Sequence, residues 1–300
     1  MRGDGRRRCN IETGGVSGTL AFAGLPLSRT LVMGVINVTP DSFSDGGETL
    51  ESRAAVARGL AMLEDGADML DVGGESTRPG AAPVTVDEEI ARVVPVVRGL
   101  AAAGALVSID ARRANVMEAA IGSGARIVND VTALTGDPRS LSLVAEAGVS
   151  VILMHMQGEP ATMQLAPHYE DAAGEVHDWL VGRVTDCEAA GIGRERIAVD
   201  PGIGFGKTVD HNLDILAALD EYESLGCALV VGVSRKSFIA RLSRDESPKQ
   251  RLPGSLAAAL AAVARGAHIL RVHDVGETRQ ALSIWRAITE AAAARNTGVP

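Results

Sequence analysis

The chain has 300 residues, 46% hydrophobic and 22% charged, a balance that suits one large soluble domain rather than a disordered or fibrous chain. Its net charge of -9 at pH 7 removes the electrostatic case for nucleic-acid binding. No run approaches the roughly 18 consecutive apolar residues of a membrane span, so neither nucleic acid nor membrane is expected as a partner.

The elements follow in order. Residues 1–29 read as a short N-terminal extension, basic over 1–10 without the apolar stretch of a signal peptide, with a small hairpin expected around 14–24. The first apolar run, 31–36, stops at Asn37. A helical pattern over 52–65 leads to the run 68–70, which stops at Asp71; a helix over 87–103 leads to 106–109, which stops at Asp110. After a helix over 113–122, the run 126–128 ends at Asn129 and Asp130. The helix 140–147 precedes 150–154, which ends at His155, and the long helix 171–190 precedes 197–199, which ends at Asp200. A helix over 211–225 is followed by 228–233, ending at Ser234, Arg235 and Lys236. A helix over 252–265 is followed by 267–270, ending at Arg271 and His273, and the helix 277–293 closes the set.

Short apolar runs without polar alternation are the pattern of strands buried on both faces. Strand and helix alternate about eight times, which predicts an α/β fold: a single (β/α)8 TIM barrel over 30–293, with a C-terminal tail over 294–300. Gly66, Gly104, Gly124, Gly148, Gly191, Gly226 and Gly266 each follow a helix and precede a strand, where a left-handed C-cap is expected. The polar residues then ring one end of the barrel, the end at which barrel enzymes build their sites. Two connections at that end, 38–50 and 73–85, exceed the usual loop length and are expected to act as mobile lids. Cys9, Cys187 and Cys227 are odd in number and have no metal-ligand spacing, which predicts inert thiols in a reducing, cytoplasmic compartment.

Asp110, Asn129 and Asp200 could together grip a flat heterocycle with a guanidine-like edge, since a carboxylate accepts two parallel N–H bonds and an amide gives one and takes one. Any one of them alone could equally cap the following helix. Arg271 and His273, two residues apart, share one side of a strand end and with Asn37 suit a phosphate ester and a divalent cation, although a surface Arg271 paired with Asp274 is the plainer alternative. Mg²⁺ characteristically takes few protein ligands and bridges phosphate oxygens. Ser234 and Lys236 have the same spacing. The stretch 200–207, Asp-Pro-Gly-Ile-Gly-Phe-Gly-Lys, lacks Walker spacing, so its glycines are read as letting backbone pass close to a ligand with Phe205 as an apolar wall. His155 is read as structural before catalytic. No Ser–His–Asp order or paired acid and base stands out, which leaves orientation and electrostatics to carry the chemistry.

These residues stand in motifs that resemble the dihydropteroate synthases. They run from Asn-Val-Thr-Pro-Asp-Ser-Phe-Ser-Asp-Gly-Gly at 37–47 and Asp-Val-Gly-Gly-Glu-Ser-Thr-Arg-Pro-Gly at 71–80 to Ser-Ile-Asp at 108–110, Asn129-Asp130, and Met-His-Met-Gln-Gly at 154–158. The stretch 200–207, Ser-Arg-Lys-Ser at 234–237 and Arg-Val-His-Asp at 271–274 complete a series that covers about 30–293 in the family's order. The resemblance implies that 4-aminobenzoate displaces pyrophosphate from a (7,8-dihydropterin-6-yl)methyl diphosphate, giving dihydropteroate in folate synthesis. It implies that Asp71, Asp110, Asn129, Asp200, Lys236, Met154 and Phe205 hold the pterin. Arg271, His273 and Asn37 would hold the diphosphate, with Asn37 on the cofactor Mg²⁺. Thr77, Arg78, Pro79, Phe43 and Ser234 would frame the aminobenzoate, Asp41 and Asp45 would complete the site, and Asp110, Lys236 and Asp45 would serve the chemistry directly. A homodimer and sulfonamide binding are further implications.

The chain departs from the family's pattern after Asp110, where Ala111, Arg112 and Arg113 replace Thr, a variable residue and Lys. If that Thr caps the next helix, its loss costs roughly 0.5–2 kcal/mol. A corrinoid methyltransferase sharing the barrel would have no use for a diphosphate site or for the Arg78 loop. A non-catalytic pterin-binding paralogue should have lost Asn37, Asp41, Phe43, Arg78 or Lys236, all of which are present.

Overall fold

The structure, a computed structural model, describes residues 20–38, 48–76, 84–160 and 162–297. Most of the two long loops therefore lies outside the described residues, as do Asp41, Phe43, Asp45, Thr77, Arg78, Pro79 and Cys9.

Eight parallel strands close a barrel. They are β3 (Leu31–Asn37), β4 (Met69–Gly73), β5 (Val107–Asp110), β6 (Ile127–Asp130), β7 (Ser150–Met154), β8 (Ile197–Asp200), β9 (Ala228–Val231) and β10 (Ile269–Val272). Each pairs with its sequence neighbour, and β10 pairs with β3 to complete the ring. The intervening helices are α1 (Glu48–Glu64), α2 (Val86–Ala102), α3 (Ala114–Gly122), α4 (Ser140–Ala147), α5 (Ala172–Ala189), α6 (Val209–Ala217), α7 (Ser237–Arg241) and α8 (Leu252–Val263), with α9 (Val275–Thr297) after the last strand. The seven inter-element glycines all take positive φ, from 62° at Gly226 to 113° at Gly124, as the C-cap reading requires. A two-stranded antiparallel hairpin, β1 (Ala21–Phe22) with β2 (Leu25–Pro26), precedes the barrel.

Alternation along each strand divides the core in two. Val32, Leu70, Val128, Val151, Leu153, Val199, Leu229 and Leu270 face outward into the large layer shared with the helices. Leu31, Met33, Met69, Ile127, Ile152, Ala198, Ala228, Val230 and Ile269 face inward and fill the barrel, with Phe22 of the hairpin packed among them and fully buried. Continuing the inward set two residues along each strand lands on Asp71, Asn129, Met154, Asp200 and Arg271. The barrel interior is thus apolar at one end and charged at the other.

Three expectations about elements change. The predicted helix over 211–225 is α6 followed by a 3₁₀ segment, Leu219–Leu225. Leu219, Tyr222 and Leu225 recur every third residue and are all buried, which suits three residues per turn. Asp71 does not end its strand: β4 runs on to Gly73. β9 stops at Val231, so Ser234 and Lys236 lie on a turn instead of a strand.

Candidate active site

The charged end of the barrel is organised around Arg271. Its Nε donates to Asp71 Oδ2 at 2.6 Å and its Nη2 donates to Asp110 Oδ2 at 2.6 Å, joining the last strand of the barrel to the second and third. Asn129 Nδ2 donates to the same Asp71 oxygen at 3.0 Å. Burial works against the guanidinium, yet Asp71 and Asp110 hold Arg271 above its ordinary range. Arg271 is therefore neither a surface residue nor paired with Asp274; the latter binds Arg235 instead. Asp71 Oδ1 and the Ser108 hydroxyl, on directly paired residues of β4 and β5, are buried with no hydrogen-bond partner among the described residues.

Asp200 and Lys236 form the second half of the mouth. Asp200 Oδ1 accepts from Gly202 N–H at 2.7 Å. A methyl group added at Gly232 would meet Lys236 Nζ at 3.7 Å, Arg271 Cβ at 3.8 Å and Asp200 Oδ2 at 3.9 Å, so these three groups surround one glycine at the end of β9. Lys236 Nζ donates to the Ile203 carbonyl and lies 4.8 Å from the centroid of the Phe205 ring. Met154 sits opposite Asp200 in the β7–β8 register. Burial pushes Asp110 up to about 7 against the pull of Arg271, and raises Asp200 against that of Lys236. Burial also lowers Lys236 to about 8, with Asp200 opposing. The mouth thus holds three carboxylates and two cations in a largely buried setting, where protonation responds to whatever ligand enters.

Ser234 reaches this ring by backbone strain instead of strand alternation. Arg235 between Ser234 and Lys236 has φ 61°, sparsely populated for a side chain of this size. Ser255 Oγ accepts from Arg235 N–H at 2.9 Å, Arg251 Nη1 donates to its carbonyl at 2.9 Å, and its guanidinium is fixed on Asp274. The turn sends Ser234 Oγ to within 3.0 Å of His273 Nδ1 and sends Lys236 towards Phe205. Ser234 and His273, expected at different subsites, are direct partners. Burial, Arg235 and Arg271 lower His273 to about 4, so it is neutral at pH 7.

Two of the glycines of 200–207, Gly202 and Gly206, are required by neighbouring protein backbone. A Cβ at Gly202 would overlap the His155 carbonyl oxygen, and one at Gly206 would overlap that of Gln157. The close approach is to the loop after β7, and Phe205 is presented by it. Asn37, the last residue of β3, is half-buried at the same end of the barrel. Among the described residues no cluster of three His, Cys, Asp or Glu could hold a metal. A single amide at a strand end suits a hard cation that brings its own phosphate oxygens better than a protein-caged one.

The departure at 111–113 has a different consequence from the one expected. Arg113, not Ala111, occupies the N-cap of α3, and Asp137 Oδ2 accepts from Ala114 N–H at 3.0 Å. The cap is supplied from another loop. Arg112 forks onto Glu75 at 2.9 and 3.3 Å, while Arg113 pairs with buried Glu89 and donates to the Val84 carbonyl at 2.6 Å. The two arginines therefore hold the near and far ends of the 73–85 connection. Sequence reading missed this role, and also that of Gly232, which the inward alternation 228, 230, 232 could have marked.

A model of the pterin binding enzyme family matches residues 33–273. The dihydropteroate synthase of Escherichia coli strain K12 is 47% identical over 268 residues, covering 89% of this chain and 94% of that protein. The structure of Xanthomonas albilineans dihydropteroate synthase with 4-aminobenzoic acid superposes with TM-score 0.83 at 49% identity, covering 88% of this chain and 95% of the other. The same enzyme in complex with 7,8-dihydropteroate gives TM-score 0.81 at 47% identity and the same coverage. With its barrel, its ring of strand-end residues and near-complete overlap with these proteins in agreement, the chain belongs to the pterin binding enzyme family, among its dihydropteroate synthases.

Proposed function

We propose that this chain condenses (7,8-dihydropterin-6-yl)methyl diphosphate with 4-aminobenzoate, releasing pyrophosphate and forming dihydropteroate. The observation that carries the reading is the convergence of Asp71, Asp110, Asn129, Asp200, Lys236 and Arg271 on one barrel mouth, with Met154 and Phe205 beside it. Buried carboxylates and an amide match the amino–imino edge of a pterin. One relative, solved once with 4-aminobenzoic acid and once with 7,8-dihydropteroate, supports both ends of the reaction.

In this reading the amine of 4-aminobenzoate forms a bond to the pterin methylene as the carbon–oxygen bond to the diphosphate breaks; the electron pair leaves with pyrophosphate, and the surplus proton on the new secondary ammonium is lost to solvent. The methylene carbon is conjugated with the ring, which favours a loose path with positive charge spread into the pterin. Asp110 and Asp200 stabilise that charge. Arg271 and neutral His273 hold the departing oxygens, the first as a fixed charge and the second as a hydrogen-bond donor. An arylamine needs little activation, so no strong general base is required. Asn37 would contribute to holding Mg²⁺, which when bound neutralises charge on the diphosphate. Thr77, Arg78, Pro79, Phe43 and Ser234 would frame the aminobenzoate, with Asp41 and Asp45 completing the site. Among the described residues no helix is long and apolar enough to cross a membrane. A cytoplasmic homodimer is the working state of this proposal.

The test is to incubate the purified chain with the pterin diphosphate, 4-aminobenzoate and Mg²⁺ and follow pyrophosphate; no release would overturn the proposal. Asp200→Ala should abolish binding of a phosphate-free pterin in calorimetry, since a lost hydrogen bond to a buried charge costs about 1.5–3 kcal/mol or more. Unchanged affinity would remove Asp200 from the pocket.

A further inference from the structure

Lys207 is 2% exposed and has no part in the reaction as drawn. Among the described residues no carboxylate bonds to it. Its Nζ instead donates to His155 Nδ1 at 2.9 Å and to the Phe205 carbonyl at 3.0 Å, with the His155 carbonyl at 3.5 Å. Burial lowers Lys207 to about 7, and a buried amine held only by neutral acceptors is a group of the kind that concentrates where geometry matters to function.

Its contacts close a circuit. His155 N–H donates to the Asp200 carbonyl at 3.0 Å, fixing the beginning of the 200–207 arc, and the His155 ring receives Lys207, fixing its end. Between them Gly202 and Gly206 lie directly against the backbone of the loop after β7. Gln164 Nε2 donates to the Gly204 carbonyl at 2.5 Å, and Tyr169 Oη donates to the Gly206 carbonyl at 3.0 Å. The His155 ring is itself held edge-on by Trp179, at 5.0 Å between centroids. The arc carries Asp200 at one end and Phe205 near the other, and the Phe205 ring faces Lys236. We infer that Lys207 is a positioning residue that sets affinity for the pterin substrate by pinning the Asp200–Phe205 arc to His155. This rests on the reading that Asp200 and Phe205 hold the pterin.

The variants are Lys207→Met, which removes the donors, Lys207→Gln, which keeps a neutral donor, and His155→Phe, which removes the acceptor but keeps an aromatic ring against Trp179. All assays are run below each variant's measured thermal midpoint. Lys207→Met should raise KM for the pterin diphosphate, and weaken binding of a phosphate-free pterin, by about tenfold or more, the scale of one charge-assisted hydrogen bond. KM for aminobenzoate at saturating diphosphate should stay within about twofold, since the arc carries no aminobenzoate residue. Lys207→Gln should recover most of the pterin affinity. A folded Lys207→Met with normal pterin affinity, or with both KM values rising in step, would overturn the inference. If Lys207→Met does not fold, His155→Phe decides by the same split. Asp200→Ala keeps the two readings apart: loss of pterin binding there, with none in Lys207→Met, sinks only the role of Lys207. Normal pterin binding by Asp200→Ala sinks the pocket and this inference together.

Discussion

At the scale of single residues the site is a problem of charge in a largely buried place. Asp110 is held up to about 7 by burial although Arg271 touches it, so it changes protonation within the working range of most enzymes. Its ionised form is the one that accepts from a pterin N–H. Affinity for a phosphate-free pterin should therefore fall as pH drops through 7, by up to about tenfold per unit for one proton. Asp110→Asn should bind more weakly and lose most of that slope, whereas His273→Gln should keep it, because His273 is lowered to about 4 and does not titrate there. Calorimetry across pH 5–8 on the three proteins checks this; a slope that survives in Asp110→Asn would assign the titration elsewhere. For stability the signs oppose. A carboxyl raised from 3.8 to about 7 favours the folded state at low pH and loses that contribution as pH rises through 7. His155, lowered from 6.5 to about 3, costs stability as pH falls from 6.5 towards 3. Overall stability against pH is thus a poor reporter of either group, and site-directed binding is the better one.

Elements show how much was written in the chain and how much was not. The eight apolar runs were legible, because burial on both faces leaves an unmistakable local pattern, but where two of them end was not: β4 runs past Asp71 and β9 stops before Ser234. Period-two spacing did not place Ser234 and Lys236, because β9 stops before them. The Arg271–Asp71–Asp110 bridge was not legible, since it joins residues that only barrel closure makes neighbours. Nor was the strained turn at Arg235, whose φ is enforced by Ser255 and Arg251 from a later segment. The positions 111–113 illustrate the same limit: read locally they lose a cap, but in the fold Asp137 supplies it and Arg113 is committed to Glu89. Glu89 is 1% exposed, and burial raises it despite Arg113, so the carboxylate depends on its partner. Arg113→Ala should destabilise the protein by about 3–5 kcal/mol by stranding that charge, and adding Glu89→Gln should restore a substantial part. Denaturant unfolding of the two single variants and the double variant measures the coupling; strict additivity would mean the pair contributes nothing as a pair.

For the whole molecule, the barrel separates what holds it together from what it does. Its charged residues gather at the C-terminal ends of the strands, while the opposite end is closed by the hairpin before β3, with Phe22 inserted among Leu31, Met69, Ile127, Ala198 and Ile269. That end also carries the Asp68 cluster. Arg29 pairs with Asp68 at 2.6 Å, Arg279 from α9 reaches the same carboxylate, and Asp68 Oδ2 accepts from Val32 N–H at 2.8 Å, tying the chain before β3 to the last helix. None of these groups bonds to a residue of the mouth among the described residues. Conservation of function should therefore be insensitive to damage at this end so long as the barrel stays folded. Phe22→Ala removes a fully buried aromatic side chain and should lower stability by about 3–5 kcal/mol. At temperatures where the variant is folded, both KM values and kcat should match the parent. Unfolding curves and steady-state kinetics on the same preparation provide the check. A changed KM with intact folding would mean that strain at the plugged end is transmitted along the strands to the mouth, and the two ends could no longer be treated as independent.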